Sequence, residues 1–193
     1  MRQEKDRCLA AIHTAMDGAR VALICSGDPG VYALAGLVLE LLSVHPMGNM
    51  LSVRVVPGIT SLNACASLLG APVGHDFAVI SLSDILTPWS IIRKRLEAVS
   101  LADFVIVLYN PRSHRRIDQL KEAVSIIASH RSGETPVGVV KKAMRQGQEV
   151  MLTDLDNVLN CEIDMQTTVI IGNSSSFVWN EYMITPRGYK IDA

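Results

Sequence analysis

The chain has 193 residues, of which 49% are hydrophobic and 19% are charged, and this composition excludes a disordered protein. Its formal net charge of -1 provides no basic field that could hold a polyanion, so we expect no nucleic-acid partner. No apolar run approaches the roughly 20 residues that cross a bilayer, and the charged residues 1–7 do not form a secretory leader, so we expect a cytoplasmic protein with no membrane partner.

Helix and strand patterns alternate along the first two thirds of the chain. Leu9, Ile12 and Met16 share one face of a helix that we predict over residues 2–17. Short apolar runs then predict three strands, each followed by a turn and a helix, at residues 21–25, 51–56 and 104–109. Continuous Val/Ile/Leu strands that alternate with helices are typical of a parallel sheet covered on both faces, which predicts an α/β fold.

The later part of the chain is less regular, and we predict a mixed sheet there. Its strands are predicted at residues 77–82, 137–140, 149–152 and 167–171. Before them, Gly70-Ala71-Pro72-Val73-Gly74 is rich in residues that interrupt secondary structure. We therefore predict two α/β domains, residues 1–73 and residues 74–193.

The turn Gly27-Asp28-Pro29-Gly30 follows the first predicted strand. Ligands of open parallel sheets bind beyond the carboxyl ends of the strands, where such a turn lies. The turn matches neither G-x-G-x-x-G nor a P-loop, and the Asp28 carboxylate would repel a phosphate but suit ribose hydroxyls or an ammonium group. Alternatively, Asp28 is the N-cap of the following helix with Pro29 at its first position, and the two roles can coexist.

A second sharp turn, Pro57-Gly58-Ile59-Thr60-Ser61, follows the second predicted strand. Thr60 or Ser61 either caps the next helix or offers a hydroxyl and free N–H groups to a ligand. Two such turns at the edge of one sheet favour a pocket between them.

Three arginines gather after the third predicted strand, at Arg112, Arg115 and Arg116. Cations at the start of a helix oppose the helix dipole, so the position is locally unfavourable. The cluster is either a solvated surface run or an anchor for the carboxylates of a substrate.

Metal-binding and nucleophilic motifs do not stand out in the sequence. The five histidines lack ligand spacing, and the four cysteines stand far apart without a C-x-x-C pair. Neither G-x-S-x-G nor H-E-x-x-H is present. We therefore predict free thiols, no metal site and no identifiable catalytic residue.

Five short motifs follow one another along the chain. They are Ser26-Gly27-Asp28-Pro29-Gly30-Val31-Tyr32 with Ala35-Gly36, Pro57-Gly58-Ile59-Thr60-Ser61, Leu108-Tyr109-Asn110-Pro111-Arg112-Ser113, Gly172-Asn173-Ser174-Ser175 and Pro186-Arg187-Gly188-Tyr189. Together they resemble the tetrapyrrole methylases, which use S-adenosylmethionine. The resemblance implies two α/β domains with the cofactor in the cleft between them, in a homodimer. By position, it implies cofactor contacts from Gly27, Asp28, Val31, Thr60, Ser61, Asn110 and Ala143.

The resemblance also implies a reaction, the transfer of a methyl group to C17 of a reduced tetrapyrrole with ring contraction, in cobalamin biosynthesis. Such a displacement gains mainly from holding the carbon nucleophile and the methyl group in line, which can lower a barrier by roughly 7 kcal/mol or more. The tetrapyrrole substrate carries carboxylates, which makes Arg112, Arg115 and Arg116 its candidate anchors.

Members of this family begin with a strand and a G-x-G-P-G loop, whereas this sequence opens on what resembles the helix that follows. We expect the first strand to be missing, which would expose neighbouring apolar strand edges. An alternative is therefore a non-catalytic binding or scaffolding form of the same fold. A third hypothesis, a sugar- or nucleotide-binding α/β enzyme, requires affinity for phosphate-bearing ligands, which Asp28 disfavours.

Overall fold

The computed structural model describes residues 3–113 and 116–191. The chain divides into two compact units, Met1–Thr60 and Ser61–Ala193. Each unit has its own pattern of secondary structure.

The first unit contains α1 (Glu4–Met16), α2 (Leu34–Ser43) and a single 3-10 turn, Gly48–Met50. Helix α1 confirms the first predicted helix. No strand forms among the described residues of this unit, so the strands predicted at residues 21–25 and 51–56 are wrong. A strand exists only as part of a hydrogen-bonded ladder, and these two apolar segments line a groove instead of pairing.

The described part of the second unit contains two sheets and three α-helices. Its elements are α3 (Ser61–Leu69), β1 (Gly70–Ala71), β2 (Phe77–Ser81), α4 (Trp89–Leu101), β3 (Val105–Tyr109), α5 (Asp118–Ala128), β4 (Pro136–Lys141), β5 (Glu149–Asp154), a 3-10 turn (Val158–Asn160), β6 (Thr167–Ile171), β7 (Phe177–Trp179) and β8 (Tyr182–Ile184). The larger sheet has the order β2-β3-β6-β4-β5, and the smaller has the order β1-β8-β7. In the larger sheet β2 is parallel to β3, while β6 is antiparallel to both of its neighbours. The α/β class and the mixed sheet are confirmed.

Strand β3 is buried along its whole length because helices cover both faces of the larger sheet. Ile106 and Leu108 pack in one apolar cluster with residues of α4 and α5. Val105, Val107 and Tyr109 pack in the other cluster with residues of α3. This alternation explains why the strand is a continuous apolar run in the sequence.

The structure divides the chain earlier than the boundary that we predict between residues 73 and 74. Helix α3 belongs to the second unit because its residues Leu62 and Leu69 pack in the same apolar cluster as Val107 of β3. The extent of the functional domains remains a prediction.

Candidate functional site

Asp28 connects the two turns of the first unit. Its Oδ1 accepts a hydrogen bond from the N–H of Gly30 at 2.7 Å, and its Oδ2 accepts one from the N–H of Gly58 at 3.0 Å. The bond from Gly58, followed by the bond from Gly30, lowers the pKa of the Asp28 carboxyl. Asp28 is therefore ionised at neutral pH, and each of its oxygens has a second lone pair for a ligand.

Two glycines allow the turns to approach this closely. A Cβ on Gly58 would collide with the carbonyl oxygen of Gly27. Gly27 itself has a φ of +77°, a left-handed conformation that favours glycine. The structure therefore brings the two predicted turns together, although the sheet predicted behind them is absent from the described residues of this unit.

The alternative role of Asp28 as a helix N-cap is wrong. Helix α2 begins at Leu34, and the residue before it, Ala33, makes no side-chain capping hydrogen bond. The Asp28 carboxylate closes a local turn on Gly30 instead, because its Oδ1 accepts the N–H two residues ahead. Val31, another predicted cofactor residue, follows in this turn and is 38% exposed.

In the second unit, three strands end at one edge of the larger sheet. Strands β3 and β4 point the same way because both are antiparallel to β6, which lies between them. Val169 of β6 lies opposite Leu108 of β3 and Val139 of β4. Asn110 and Ala143, which follow β3 and β4, therefore lie beyond the same edge, and the carboxyl end of the parallel strand β2 lies there too.

Asn110 is fixed in place by its neighbours. Its Nδ2 donates a hydrogen bond to Oγ of Ser81 at 2.9 Å, and its carbonyl oxygen accepts one from Nη1 of Arg116 at 3.4 Å. Its φ of +51° lies in the left-handed region, which asparagine tolerates better than most residues. The side chain is therefore oriented by the fold at the strand end, where a ligand would bind.

Ala143 lies in a turn with an unusual backbone. The residues on either side, Lys142 and Met144, both have positive φ values, 50° and 57°. The N–H of Met144 donates to Oε1 of Gln148 at 2.7 Å, which holds the turn in this conformation. Such strained backbone is retained where the surrounding structure requires it and is common at functional sites.

The predicted arginine anchors have different surroundings. Arg116 is buried, and its guanidinium donates to Oγ of Ser113 at 3.3 Å and to Sδ of Met165 at 3.1 Å. Arg112 is exposed and lines a cavity of about 470 Å³. Arg115 lies outside the described residues. Arg116 thus supports the loop after β3, and binding of substrate by the three arginines remains a prediction.

Sequence reasoning missed three residues that shape these sites. Ser81 orients Asn110, and Gly58 donates to Asp28. Tyr109 accepts a hydrogen bond from the N–H of Leu62 at 2.6 Å through its hydroxyl, which satisfies a donor in the first turn of α3. Gly58 and Tyr109 stand inside motifs that the sequence analysis identified, whereas Ser81 carried no signal.

Across residues 3–113 and 116–191, no group of His, Cys, Asp and Glu side chains is arranged to hold a metal ion. Within the same residues, the helices are too short or too polar to cross a membrane.

Comparison with known proteins places the chain among methyltransferases of tetrapyrroles. A sequence model described as Tetrapyrrole (Corrin/Porphyrin) Methylases matches residues 2–159. The chain is 51% identical over 191 residues to a "Probable cobalt-factor III C(17)-methyltransferase" of Salmonella typhimurium, covering 99% of this chain and 78% of the relative. It is 37% identical over 194 residues to a "Precorrin-3B C(17)-methyltransferase" of Sinorhizobium sp, covering 97% of this chain and 76% of the relative. It is 52% identical to a "Cobalt-factor III methyltransferase" of Priestia megaterium, and the match covers 98% of this chain but only 36% of that relative.

Solved structures are also similar. The crystal structure of the methyltransferase CobJ superposes with a TM-score of 0.90 at 34% identity, over 96% of this chain and 77% of that one. A uroporphyrin-III C-methyltransferase from Thermus thermophilus, complexed with S-adenosyl homocysteine, gives a TM-score of 0.66 at 22% identity, over 89% of this chain and 74% of that one. The second similarity concerns the fold alone.

Proposed function

Because the chain belongs to the tetrapyrrole (corrin/porphyrin) methylases, we propose that it transfers a methyl group from S-adenosylmethionine to C17 of precorrin-3B or its cobalt-containing counterpart. Ring contraction would accompany the transfer, as part of cobalamin biosynthesis. Two relatives that are named for C17 methylation support this reaction. The observation in this chain that carries the proposal is the ionised Asp28, held by the N–H groups of Gly30 and Gly58.

The turn around Asp28 fits the chemistry of this cofactor. S-adenosylmethionine has ribose hydroxyls and an ammonium group but no phosphate, and a carboxylate accepts hydrogen bonds from both groups. When bound, it supplies a methyl group attached to a sulfonium. We propose that Gly27, Asp28, Val31 and Thr60 of the first unit, and Ser61, Asn110 and Ala143 of the second, bind it.

Positioning by the protein would provide most of the catalysis. Asn110 and the turn at Ala143 are held by hydrogen bonds within the second unit, so little reorganisation is needed when a ligand binds. Arg112, which lines a cavity, Arg115 and Arg116 would anchor the substrate carboxylates, and Arg116 would also hold the loop that carries Arg112. A homodimer and a cytoplasmic location also remain part of the proposal.

Calorimetric titration with S-adenosylmethionine, S-adenosylhomocysteine and ATP tests the cofactor site. We expect saturable binding of the first two and none of ATP, because Asp28 repels phosphate. Asp28→Asn should weaken binding by at least about tenfold, since it removes a charged hydrogen-bond acceptor. The matched control is Asp17→Asn, on an exposed aspartate of the same unit. Binding of ATP, or equal affinity in the Asp28→Asn variant, would refute the proposed site.

A second candidate is a binding form of the same fold without turnover. It is favoured by the lack of strands in segments 21–25 and 51–56, directly behind the two turns of the first unit. This candidate predicts that the chain binds S-adenosylmethionine in calorimetry but transfers no methyl group to a tetrapyrrole, which separates it from the enzyme.

A further inference from the structure

The loop between β2 and α4, residues 82–88, exposes two large apolar side chains. Ile85 is 78% exposed and Leu86 is 95% exposed. Loops of this kind usually carry polar residues, because their side chains face water. Contact with another molecule would remove this apolar surface from water, so an adjacent pair of such residues marks a candidate contact surface.

The loop is held at both ends, so the exposure of its tip is part of the fold. Leu82 is buried, and its N–H donates to the carbonyl oxygen of Tyr109 at 2.9 Å. At the other end, the carbonyl oxygen of Pro88 accepts a hydrogen bond from the N–H of Ile91 at 2.9 Å, in the first turn of α4. The two apolar side chains are therefore presented from an ordered base.

The loop lies at the edge of the larger sheet where Asn110 is placed. It begins at the carboxyl end of β2, where Ser81 accepts the hydrogen bond from Asn110. In the middle of the loop, Oδ2 of Asp84 accepts a hydrogen bond from Nε2 of Gln119 at 3.0 Å, which joins the loop to the first turn of α5. Ligands of open α/β sheets bind beyond this end of parallel strands, so the loop belongs to the candidate site in the second unit.

A cavity of about 470 Å³ lies beside the start of α5. Ile117, two residues before Gln119, lines the cavity and is 55% exposed. Arg112 lines it too, and among the described residues no carboxylate forms an ion pair with this arginine. Asp164, an acidic residue of the lining, has its Oδ2 at 3.8 Å from Nζ of Lys141. The cavity thus offers an anion one arginine, beside exposed apolar side chains.

This combination matches the chemistry of a tetrapyrrole. The macrocycle is a wide apolar ring system, and acidic side chains stand around its rim. Such a ligand binds where apolar side chains meet the ring and cations meet the rim. A small carboxylic acid would use the arginine but leave Ile85 and Leu86 in water.

We infer that Ile85 and Leu86 bind the macrocycle of the tetrapyrrole substrate, next to an arginine that binds one of its carboxylates. The inference rests on the proposed methyl transfer, because it concerns the substrate of that reaction, and it adds the apolar part of the binding surface. Burial of the two side chains provides affinity without charge. The loop therefore selects for the ring system rather than for the carboxylates.

Fluorescence titration with uroporphyrin, a stable tetrapyrrole with carboxylates on its rim, measures binding without turnover. Leu86→Ser should weaken binding at least about tenfold, because it removes most of the apolar contact area. Leu86→Met retains that area and should bind like the original chain. The matched control is Leu101→Ser, on a 74% exposed leucine at the end of α4, at the opposite edge of the sheet. Circular dichroism checks folding, and Ile85→Ser repeats the test at the neighbouring residue.

Salt separates the apolar contact from the ionic one. The loss of affinity in Leu86→Ser should be the same at low salt and at about 1 M salt, because ionic screening does not act on apolar burial. The loss in Arg112→Gln should shrink at about 1 M salt, because screening weakens its bond to a carboxylate. In turnover with cobalt-factor III, Leu86→Ser should raise KM at least about tenfold and leave calorimetric binding of S-adenosylmethionine unchanged.

Three results would overturn the inference. The first is that Leu86→Ser binds uroporphyrin as tightly as the original chain, and the second is a loss that shrinks in salt as the loss in Arg112→Gln does. The third is hydrogen-exchange protection of residues 83–88 that rises with protein concentration in the absence of a tetrapyrrole, which would identify a second copy of this chain as the occupant.

Turnover distinguishes failure of this inference from failure of the proposed function. Methyl transfer to cobalt-factor III with the same KM in Leu86→Ser and the original chain would refute the inference alone. An original chain that neither binds nor methylates a tetrapyrrole would refute the proposed function together with the inference.

Discussion

The two units contain apolar segments of similar composition that differ in secondary structure. Strand β3 of the second unit is a run of five buried residues, paired on both sides by β2 and β6. Segments 21–25 and 51–56 of the first unit have the same apolar composition, but they form no strand. The comparison shows that an apolar run specifies the potential for a strand, while a neighbouring strand decides whether one forms.

The largest expected difference between the units is in how far the removal of an apolar side chain lowers the free energy of unfolding. Ile106→Ala should lower the free energy of unfolding by about 2–5 kcal/mol, because it leaves a cavity between the sheet and its helices. Val55→Ala should change it by less than about 0.5 kcal/mol, because this side chain is 47% exposed. Urea unfolding followed by circular dichroism measures both values. Equal losses of unfolding free energy in the two variants would show that segment 51–56 is packed in solution.

An intermediate effect on stability is expected when glycines of the first unit are replaced by alanine. Gly58→Ala should destabilise the unit by about 1–3 kcal/mol, because the added Cβ would collide with the carbonyl oxygen of Gly27. Gly36→Ala is the matched control, since a Cβ there meets nothing within 4 Å and alanine favours helix α2 by up to about 1 kcal/mol. Thermal unfolding compares the two variants. A Gly58→Ala variant as stable as the original chain would contradict the close contact of the two turns.

The smallest effect on stability should come from the Asp28 carboxylate, and it should depend on pH. Its hydrogen bonds from Gly58 and Gly30 lower its pKa in the folded chain, so the carboxylate stabilises the turns above the ordinary aspartate pKa of about 3.9. That stabilisation is lost as the pH falls through the lowered value. Asp28→Asn should therefore be less stable than the original chain at pH 7, and the difference should shrink below about pH 3.9.

Urea unfolding of both proteins at several pH values measures this difference, with Asp17→Asn as the control. A difference that is the same at neutral and acidic pH would contradict the ionised carboxylate as the source of stability.

Most strands of the second unit could be predicted, because the burial of each strand leaves a pattern in the strand's own residues. Both faces of β3 are covered, so the strand appears in the sequence as an unbroken apolar run. The lack of strands at residues 21–25 and 51–56 could not be predicted in the same way, because strand pairing depends on a partner that a single segment does not encode.

In the candidate site, too, some features could be predicted from the sequence and others could not. The turns at Asp28 and Gly58 were predicted as neighbours from the strands expected before them, and they are neighbours even though those strands are absent from the described residues of the first unit. The roles of Ser81 and Tyr109 depend on strand register, which brings Ser81 beside the end of β3. The burial of Arg116 could not be predicted either, because arginine side chains are mostly exposed in proteins.

The most direct test of the proposed reaction is to incubate the 193-residue chain with cobalt-factor III and S-adenosylmethionine that carries a deuterated methyl group. Mass spectrometry and NMR then locate the label in the product. We expect one labelled methyl group at C17, formed by the original chain and by Asp17→Asn but much more slowly by Asp28→Asn. Transfer to a different carbon, or a tetrapyrrole that remains unlabelled although the cofactor binds, would contradict C17 methyl transfer by this protein.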